Sequence, residues 1–432
     1  MNWSCAWAPL LLAVAMSPAF SVSAATVDTG PSEYRSALSR LMAGDTLRLA
    51  PGDYMKGLPV HGLVGTEGAP IRIEASDASR RPRFIARQGH NTVSIVDSAY
   101  VEIRQLDIDG LGLAVDAVKA EGHARWAHHI TLQGLRIRGH GADQNTVAVS
   151  TKCPAWGWKI QGNEIEGAGT ALYLGNSDGS APFFDGVVEN NVVRGSIGYN
   201  LQIKHQSSRP DPDGKSSGRR LNVIRFNVFV KGSNSSSGKS ARPSVLVGHQ
   251  PKEGAGSTDV HVVYGNVFLG NPSESLFQGE GNIAFYNNIL VNVQGSAVAI
   301  QPHNRLPLEV EVVGNTIIAR DTGVRLVGAD TAYRQRVDGN LILARTPVEG
   351  IAASGNVRGS LAEANEYLRH VDESLPGLDA TPLARLVRDS RGLNWRDPVF
   401  PDGDLDYSGD PRVRRVAGAV DERFVPRVSP GR

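Results

Sequence analysis

Lys204, His205 and His249 are the side chains in this sequence best suited to moving protons, and each ends a short alternating apolar stretch. Leu201-Gln202-Ile203-Lys204-His205-Gln206 aligns with Val245-Leu246-Val247-Gly248-His249-Gln250 and with Val298-Ala299-Ile300-Gln301-Pro302-His303. Val147-Ala148-Val149 and Leu172-Tyr173-Leu174-Gly175-Asn176 extend the alignment upstream. Period-two alternation turns Leu201, Ile203, Val245 and Val247 inward and leaves Tyr173, Gln202 and Lys204 outward. If these stretches are neighbouring strands about 4.8 Å apart, Lys204, His205, His249, Gln250 and Gln301 form one polar strip. Imidazoles titrate near neutrality, and a lysine that is partly desolvated among other cations gives up its proton more readily.

The charge around this strip is lopsided. From Lys204 to Lys252 there are ten basic residues and two acidic ones (Asp211 and Asp213), in a chain whose formal net charge is +1. Such asymmetry favours an anionic partner. Nucleic acid is not expected, because these loops are poor in the aromatics that stack on bases. An acidic polysaccharide suits the charge, and β-elimination at a uronic acid suits the residues. That reaction needs the sugar carboxylate neutralised, the C5 proton removed by a base, and the leaving O4 protonated by an acid. Lys204 is the candidate base, with His205 and His249 sharing acid or base work. Arg209 or Arg242 can pair with the carboxylate in bidentate fashion. Tyr173, Asn176 and Asp178 one coil earlier, with Gln202 and Gln250 in the strip and Gln278 and Glu280 one coil later, are candidate sugar-binding groups, and Gln301 completes the set.

A repeating phrase, Asn followed by a variable residue and an aliphatic one, fixes the elements that hold the strip. It occurs at Asn163, Asn191, Asn227, Asn266, Asn288, Asn315 and Asn340, at steps of 28, 36, 39, 22, 27 and 25 residues. Upstream, Ile108, Ile137 and Ile165 align at steps of 29 and 28. A unit of that length cannot bury its own apolar face and must stack on its neighbours, which makes a solenoid. An asparagine in each coil can take a left-handed turn conformation and bond its counterparts above and below. The steps of 36 and 39 therefore mark coils with inserted loops, and these are the basic loops around the strip.

Ser32 to Met42 reads as an amphipathic helix with Tyr34, Ala37, Leu38 and Leu41 on one face, suited to plugging the open end of the first coil. Ala43-Gly44-Asp45-Thr46-Leu47-Arg48-Leu49-Ala50-Pro51-Gly52-Asp53-Tyr54 follows, with Leu47 and Leu49 expected inward. This stretch resembles the N-terminal cap of the pectate-lyase-like right-handed parallel β-helix superfamily, and most of all its branch of chondroitinase B-type and alginate lyases. The resemblance implies an all-β single right-handed parallel β-helix over 25–360. It also implies a Lys base and an Arg acid, which by type and position fall on Lys204 and Arg209, and a calcium ion that often holds the carboxylate. Asp402 to Arg412, with Gly418-Ala419 after it, resembles the closing segment of secreted β-helix proteins, so 361–432 is expected to be an irregular C-terminal cap rather than a calcium site.

Leu10 to Ala15 is an apolar run and Val22-Ser23-Ala24 a small-residue cleavage site, so 1–24 reads as a signal peptide and the protein as secreted or periplasmic. The run is too short to span a bilayer, and no later segment is apolar enough to do so. Removal of the leader with Cys5 leaves Cys153 as the only cysteine. Stability must then come from stacking, and a monomer is expected. Other readings of such a groove are a hydrolase, for which Asp178 and Asp185 are the nearest carboxylates, a C5-epimerase, and a non-catalytic polysaccharide-binding protein.

Overall fold

The computed structural model describes residues 24–427 except 123, 125, 212–217, 385, 387–396 and 413–415. Apart from Ala24, the expected leader lies outside the described residues, as does Lys215 of the basic loop. Among the described residues three parallel sheets of 12, 11 and 12 strands wind into a right-handed β-helix. The first sheet runs from Thr26–Thr29 to Gln335–Asp338, the second from Leu58–His61 to Thr346–Glu349, and the third from Gly52–Tyr54 to Val357–Gly359. The interior is a continuous stack of aliphatic and aromatic side chains from all three sheets, including Ile73, Val101, Ile130, Ile160, Leu201 and Phe285. Ile108, Ile137 and Ile165 lie side by side in register, as the spacing requires.

The cap forms as the alternation predicts, although its helix is shorter than the amphipathic stretch, at Tyr34–Leu38. Tyr34, Ala37, Leu38 and Leu41 are buried, and Leu47 and Leu49 are fully buried beneath them. At the other end Asp406 accepts hydrogen bonds from the amides of Gly409, Asp410 and Asp421, and Arg412 pairs with Asp421 at 3.1 Å. These acidic residues thus tie the closing segment to itself.

The asparagines stack into a ladder in which each Nδ2 donates to the Oδ1 of the next coil. The distances are 2.9 Å (Asn163 to Asn191), 2.8 Å (Asn191 to Asn227), 2.9 Å (Asn227 to Asn266) and 3.0 Å (Asn266 to Asn288). The chain of bonds continues through Asn315 and Asn340 to Asn356, a last member at a short step of 16 residues. One expectation is corrected. The left-handed residue is the one before the ladder asparagine, such as Gly162 (φ 63), Asn190 (φ 56), Gly265 (φ 63) and Asn287 (φ 54). That turn aims the following asparagine's own amide at the next Oδ1, at 3.0 Å for Asn163 and 3.1 Å for Asn266, so each carbonyl oxygen takes two bonds.

Candidate active site

The outer face of the second sheet holds an open groove of about 650 Å³. Its floor is a column in strict register: Ser150, Tyr173, Gln202, Leu246, Gln278 and Ala299 sit opposite one another on successive strands. A second outward column holds Lys152, Lys204 and Gln301, each one residue beyond its strand. Lys204 is flanked by Gly175, whose φ of +100 favours glycine, and by Gly248, which close approach requires. A Cβ at 175 would lie 3.1 Å from Lys204 Cβ, and one at 248 would lie 2.3 Å from the His205 amide nitrogen.

Two ammonium groups and a phenol define the centre. Lys152 Nζ sits 3.8 Å and Lys204 Nζ 5.7 Å from the Tyr173 ring centroid. The Tyr173 hydroxyl is 2.7 Å from Ser177 Oγ. Burial lowers the pKa of Lys204, opposed by Glu280 and reinforced by Arg242. Burial likewise lowers that of Lys152, opposed by Asp116 and reinforced by Lys119 and Lys204. Both lysines are thus easier to deprotonate than a free lysine.

Arg242 forms the rim. It comes from the inserted loop between the strands Val228–Val230 and Val245–Val247, and its guanidinium lies 5.9 Å from the Tyr199 ring centroid. Gln144 ties that loop to an earlier coil: with its amide oriented to satisfy both neighbours, it donates to Ser236 Oγ at 2.6 Å and accepts from Arg242 Nε at 3.2 Å. Asn271 Nδ2 holds the Arg242 carbonyl at 3.0 Å. The loop 302–305 closes the far side around Glu280. Its carboxylate accepts from the amides of His303 (2.9 Å), Asn304 (2.7 Å) and Arg305 (3.0 Å). Burial pushes the Glu280 carboxyl up, but the hydrogen bonds from Arg305, Asn304 and His303 outweigh it and hold the group below its ordinary range.

Of the expected residues, Tyr173, Gln202, Lys204, Arg242 and Gln301 line this groove, while His205, His249, Gln250, Asn176 and Arg209 do not. The chain turns after Lys204 and Gly248 and carries the following side chains over the edge of the sheet. His249 is buried with Nδ1 2.7 Å from the Gln250 carbonyl, and its ring centroid is 5.2 Å from that of His205. Burial, His249 and Lys204 all lower the His205 pKa. Gln250 is buried and bonds the backbone of Asn282 on both sides, at 2.8 Å and 3.2 Å. Asn176 bonds within its own turn, to the Ser177 amide at 3.1 Å. Arg209 is buried behind the groove beside Asp259 at 3.5 Å.

The strong local charge excess is also smaller in space than in sequence. Arg209, Arg220 and Arg225 meet Asp259, Asp185 and Glu189 from other coils, the last two pairs at 3.0 Å and 2.7 Å. Sequence reasoning passed over Lys152, Tyr199, Asp116 and His303, all of which line the groove. The signal for Lys152 was present, because it closes the strand Val147–Thr151 as Lys204 closes Leu201–Ile203. Among the described residues no group of three or more His, Cys, Asp or Glu side chains is placed to hold a metal ion, and no helix is long and apolar enough to cross a membrane.

The chain has the pectate-lyase-like right-handed parallel β-helix fold. The sequence matches no protein-family model and no curated protein sequence. Among solved structures it is similar to pectate lyase Pel9A, at 13% identity and a TM-score of 0.55, with 93% of this chain and 98% of that one covered. It is also similar to an alginate lyase from Paenibacillus sp. str. FPU-7, at 16% identity and a TM-score of 0.38, covering 78% of this chain and 97% of that one. A PL6 family alginate lyase gives 11% identity and a TM-score of 0.48, covering 94% of this chain and 60% of that one. The pectate lyase superposition is the one of these three that bears on the fold.

Proposed function

We propose that this protein is a polysaccharide lyase that cleaves a uronic-acid-containing polysaccharide by β-elimination in the groove of the second sheet. The observation that supports it is the pair of lysines with lowered pKa on either side of Tyr173, on the floor of a groove open along the helix axis. In this reading Lys204, deprotonated, takes the C5 proton. Lys152 and Arg242 compensate the charge that builds on the sugar carboxylate. Tyr173, between the two lysines, gives its proton to the leaving O4, and the electron pair of the broken C5–H bond becomes the new C4–C5 double bond. Gln202, Gln278 and Gln301 hold sugar hydroxyls. The same proton abstraction without expulsion of O4 is epimerisation, which the product distinguishes.

Calcium fits this groove poorly. The carboxylates that line it are Asp116 and Glu274. Asp116 is already bonded to the Val147 amide and Ser150 Oγ, and Glu274 to the Ser275 amide. Activity is expected to persist in a chelator, and its loss would reassign charge neutralisation to a cation. The first 24 residues are proposed to direct export, which the N-terminus of the mature protein checks.

The deciding experiment incubates the purified protein with alginate, polygalacturonate, glucuronan and glycosaminoglycans. Ultraviolet absorbance of an unsaturated uronate is expected with one of them. New reducing ends without unsaturation would mean hydrolysis, and neither product would remove the lyase reading.

A further inference from the structure

The outward column that floors the groove does not stop at Ser150. Its register continues on earlier coils through Lys119 and Ser94 to Pro59. Over those coils lies a second open cleft of about 530 Å³, lined by Arg35, Lys56, His61, Arg87, His90 and Lys119 among others, and by no aspartate or glutamate. Arg35 comes from the capping helix, where it sits close enough to His61 to act on its titration, and Arg35 and Arg87 both act on buried Tyr34. The wall between them is kept open at Gly57: its φ is +68, and a Cβ there would lie 3.0 Å from the Thr92 carbonyl and 3.4 Å from Arg87 Nη2.

The charge pattern sets this cleft apart from the rest of the N-terminal coils. On the outer faces of the first and third sheets several arginines are matched by carboxylates. Arg48 meets Asp28, Arg72 meets Glu102, and Arg83 meets Asp53 and Asp109. On the second sheet Lys119 alone of the cleft cations is paired, to Glu121 at 2.9 Å. Among the described residues Arg35, Lys56 and Arg87 have no ion-pair partner. Like charges gathered on one face, here exposed Arg35 and Lys56 with half-buried Arg87, repel each other, and an anionic ligand relieves that repulsion.

We propose that this cleft is a second polyanion-binding site, continuous with the groove at Lys204, which holds an extended acidic polysaccharide over the N-terminal coils. Five register steps separate Pro59 from Gln202, roughly 24 Å at the spacing of parallel strands. The bound segment is therefore a long run of charged sugars. The cleft has no Phe, Tyr or Trp among its lining residues, so it lacks the large aromatic faces on which single-stranded nucleic acid stacks its bases. The choice of polysaccharide rests on the lyase reading above, whereas the cleft itself does not.

The test compares the full chain with the variant Arg35→Gln/Lys56→Gln/Arg87→Gln in calorimetric binding of long-chain alginate and polygalacturonate and of their trisaccharides. The triple variant is expected to lose about tenfold to a hundredfold in affinity for the long chains relative to the trisaccharides, and the difference should shrink with added salt. Arg35→Gln alone, on the exposed face of the cap, should give a smaller loss in the same direction with an unchanged melting midpoint. Unchanged long-chain affinity, or an equal loss for both lengths, overturns the cleft. Tighter binding of single-stranded DNA than of either polysaccharide through these cations overturns the choice of ligand. If length-dependent binding is lost in the variant while no substrate yields unsaturated product, the cleft stands and the lyase reading falls. The same comparison in a Lys204→Ala background excludes turnover as the source of the effect.

Discussion

The asparagine ladder and the groove are both columns of polar side chains repeated coil after coil, yet they are opposites chemically. In the ladder the amides from Asn163 to Asn340 are buried and every bond ends on protein, with Asn266 donating to Asn288 Oδ1 of the next coil, to the Ile224 carbonyl of the preceding one and to the Tyr264 carbonyl of its own turn. In the groove Tyr173 and Lys204 stand half-exposed on an open face, Lys204 beside glycines that clear space around it. A solenoid presents the same position many times. A polar column closed on itself holds the coils together, and one left facing solvent is available to a ligand of matching repeat. The distinction lies in where the hydrogen bonds end, rather than in residue type.

Substitutions separate the two columns. Lys204→Ala is expected to lower turnover by about 10²–10⁴-fold, the range for loss of a proton-transfer group, and to leave the urea midpoint nearly unchanged. Retained turnover in that variant would remove Lys204 as the base. Asn266→Ala should do the reverse. It strands buried partners above and below, so a stability loss of about 2–4 kcal/mol is expected in urea titrations, and the pH profile of turnover should not move. A stability effect near zero would show that the ladder bonds are dispensable.

A third test uses acid. His261 is fully buried with Nε2 2.8 Å from the Gly248 carbonyl, and burial lowers its pKa from 6.5 to about 4. The unfolded chain therefore binds more protons between those values. The stabilisation is complete above pH 6.5 and is lost as pH falls towards 4, up to about 3 kcal/mol in all. Burial raises the Asp259 carboxyl to about 6, which acts in the opposite direction over part of this window. The slope difference between the wild type and His261→Asn isolates the histidine, and equal slopes would contradict its assignment. The smallest pH displacement is expected from Arg242→Gln, on top of the fall in turnover that its place at the sugar carboxylate implies. Removing a cation that lowers the Lys204 pKa should move the alkaline rise of activity to higher pH, by a fraction of a unit. A shift to lower pH would place Arg242 elsewhere in the reaction.

Much of the fold could be read from spacing alone, because a solenoid writes its period into the chain. Ile108, Ile137 and Ile165 are stacked where the count of residues puts them, and the helix at Tyr34–Leu38 caps the end its apolar face required. Within the site, alternation placed Tyr173, Gln202 and Lys204 outward because strands have period two. It could not place His205, His249 or Gln250, which lie two or three residues past the end of their strands, one further than Lys204, where the turn rather than the pleat directs the side chain. Arg209 illustrates a further gap, since its partner Asp259 is distant in sequence and joins it only when the coils stack.

The sequence by itself determined the repeat, the inward face of each strand, the two long steps and the excess of basic residues, because these depend on composition and local period. Tertiary structure decided which cations are matched by carboxylates of neighbouring coils and which are left open. Arg220 and Arg225 are neutralised from Asp185 and Glu189, while Lys152, Lys204 and Arg242 converge on the groove and Arg35, Lys56 and Arg87 on the cleft. Charge pairing depends on distances between coils, and loop insertions change those distances without leaving a period for the sequence to show.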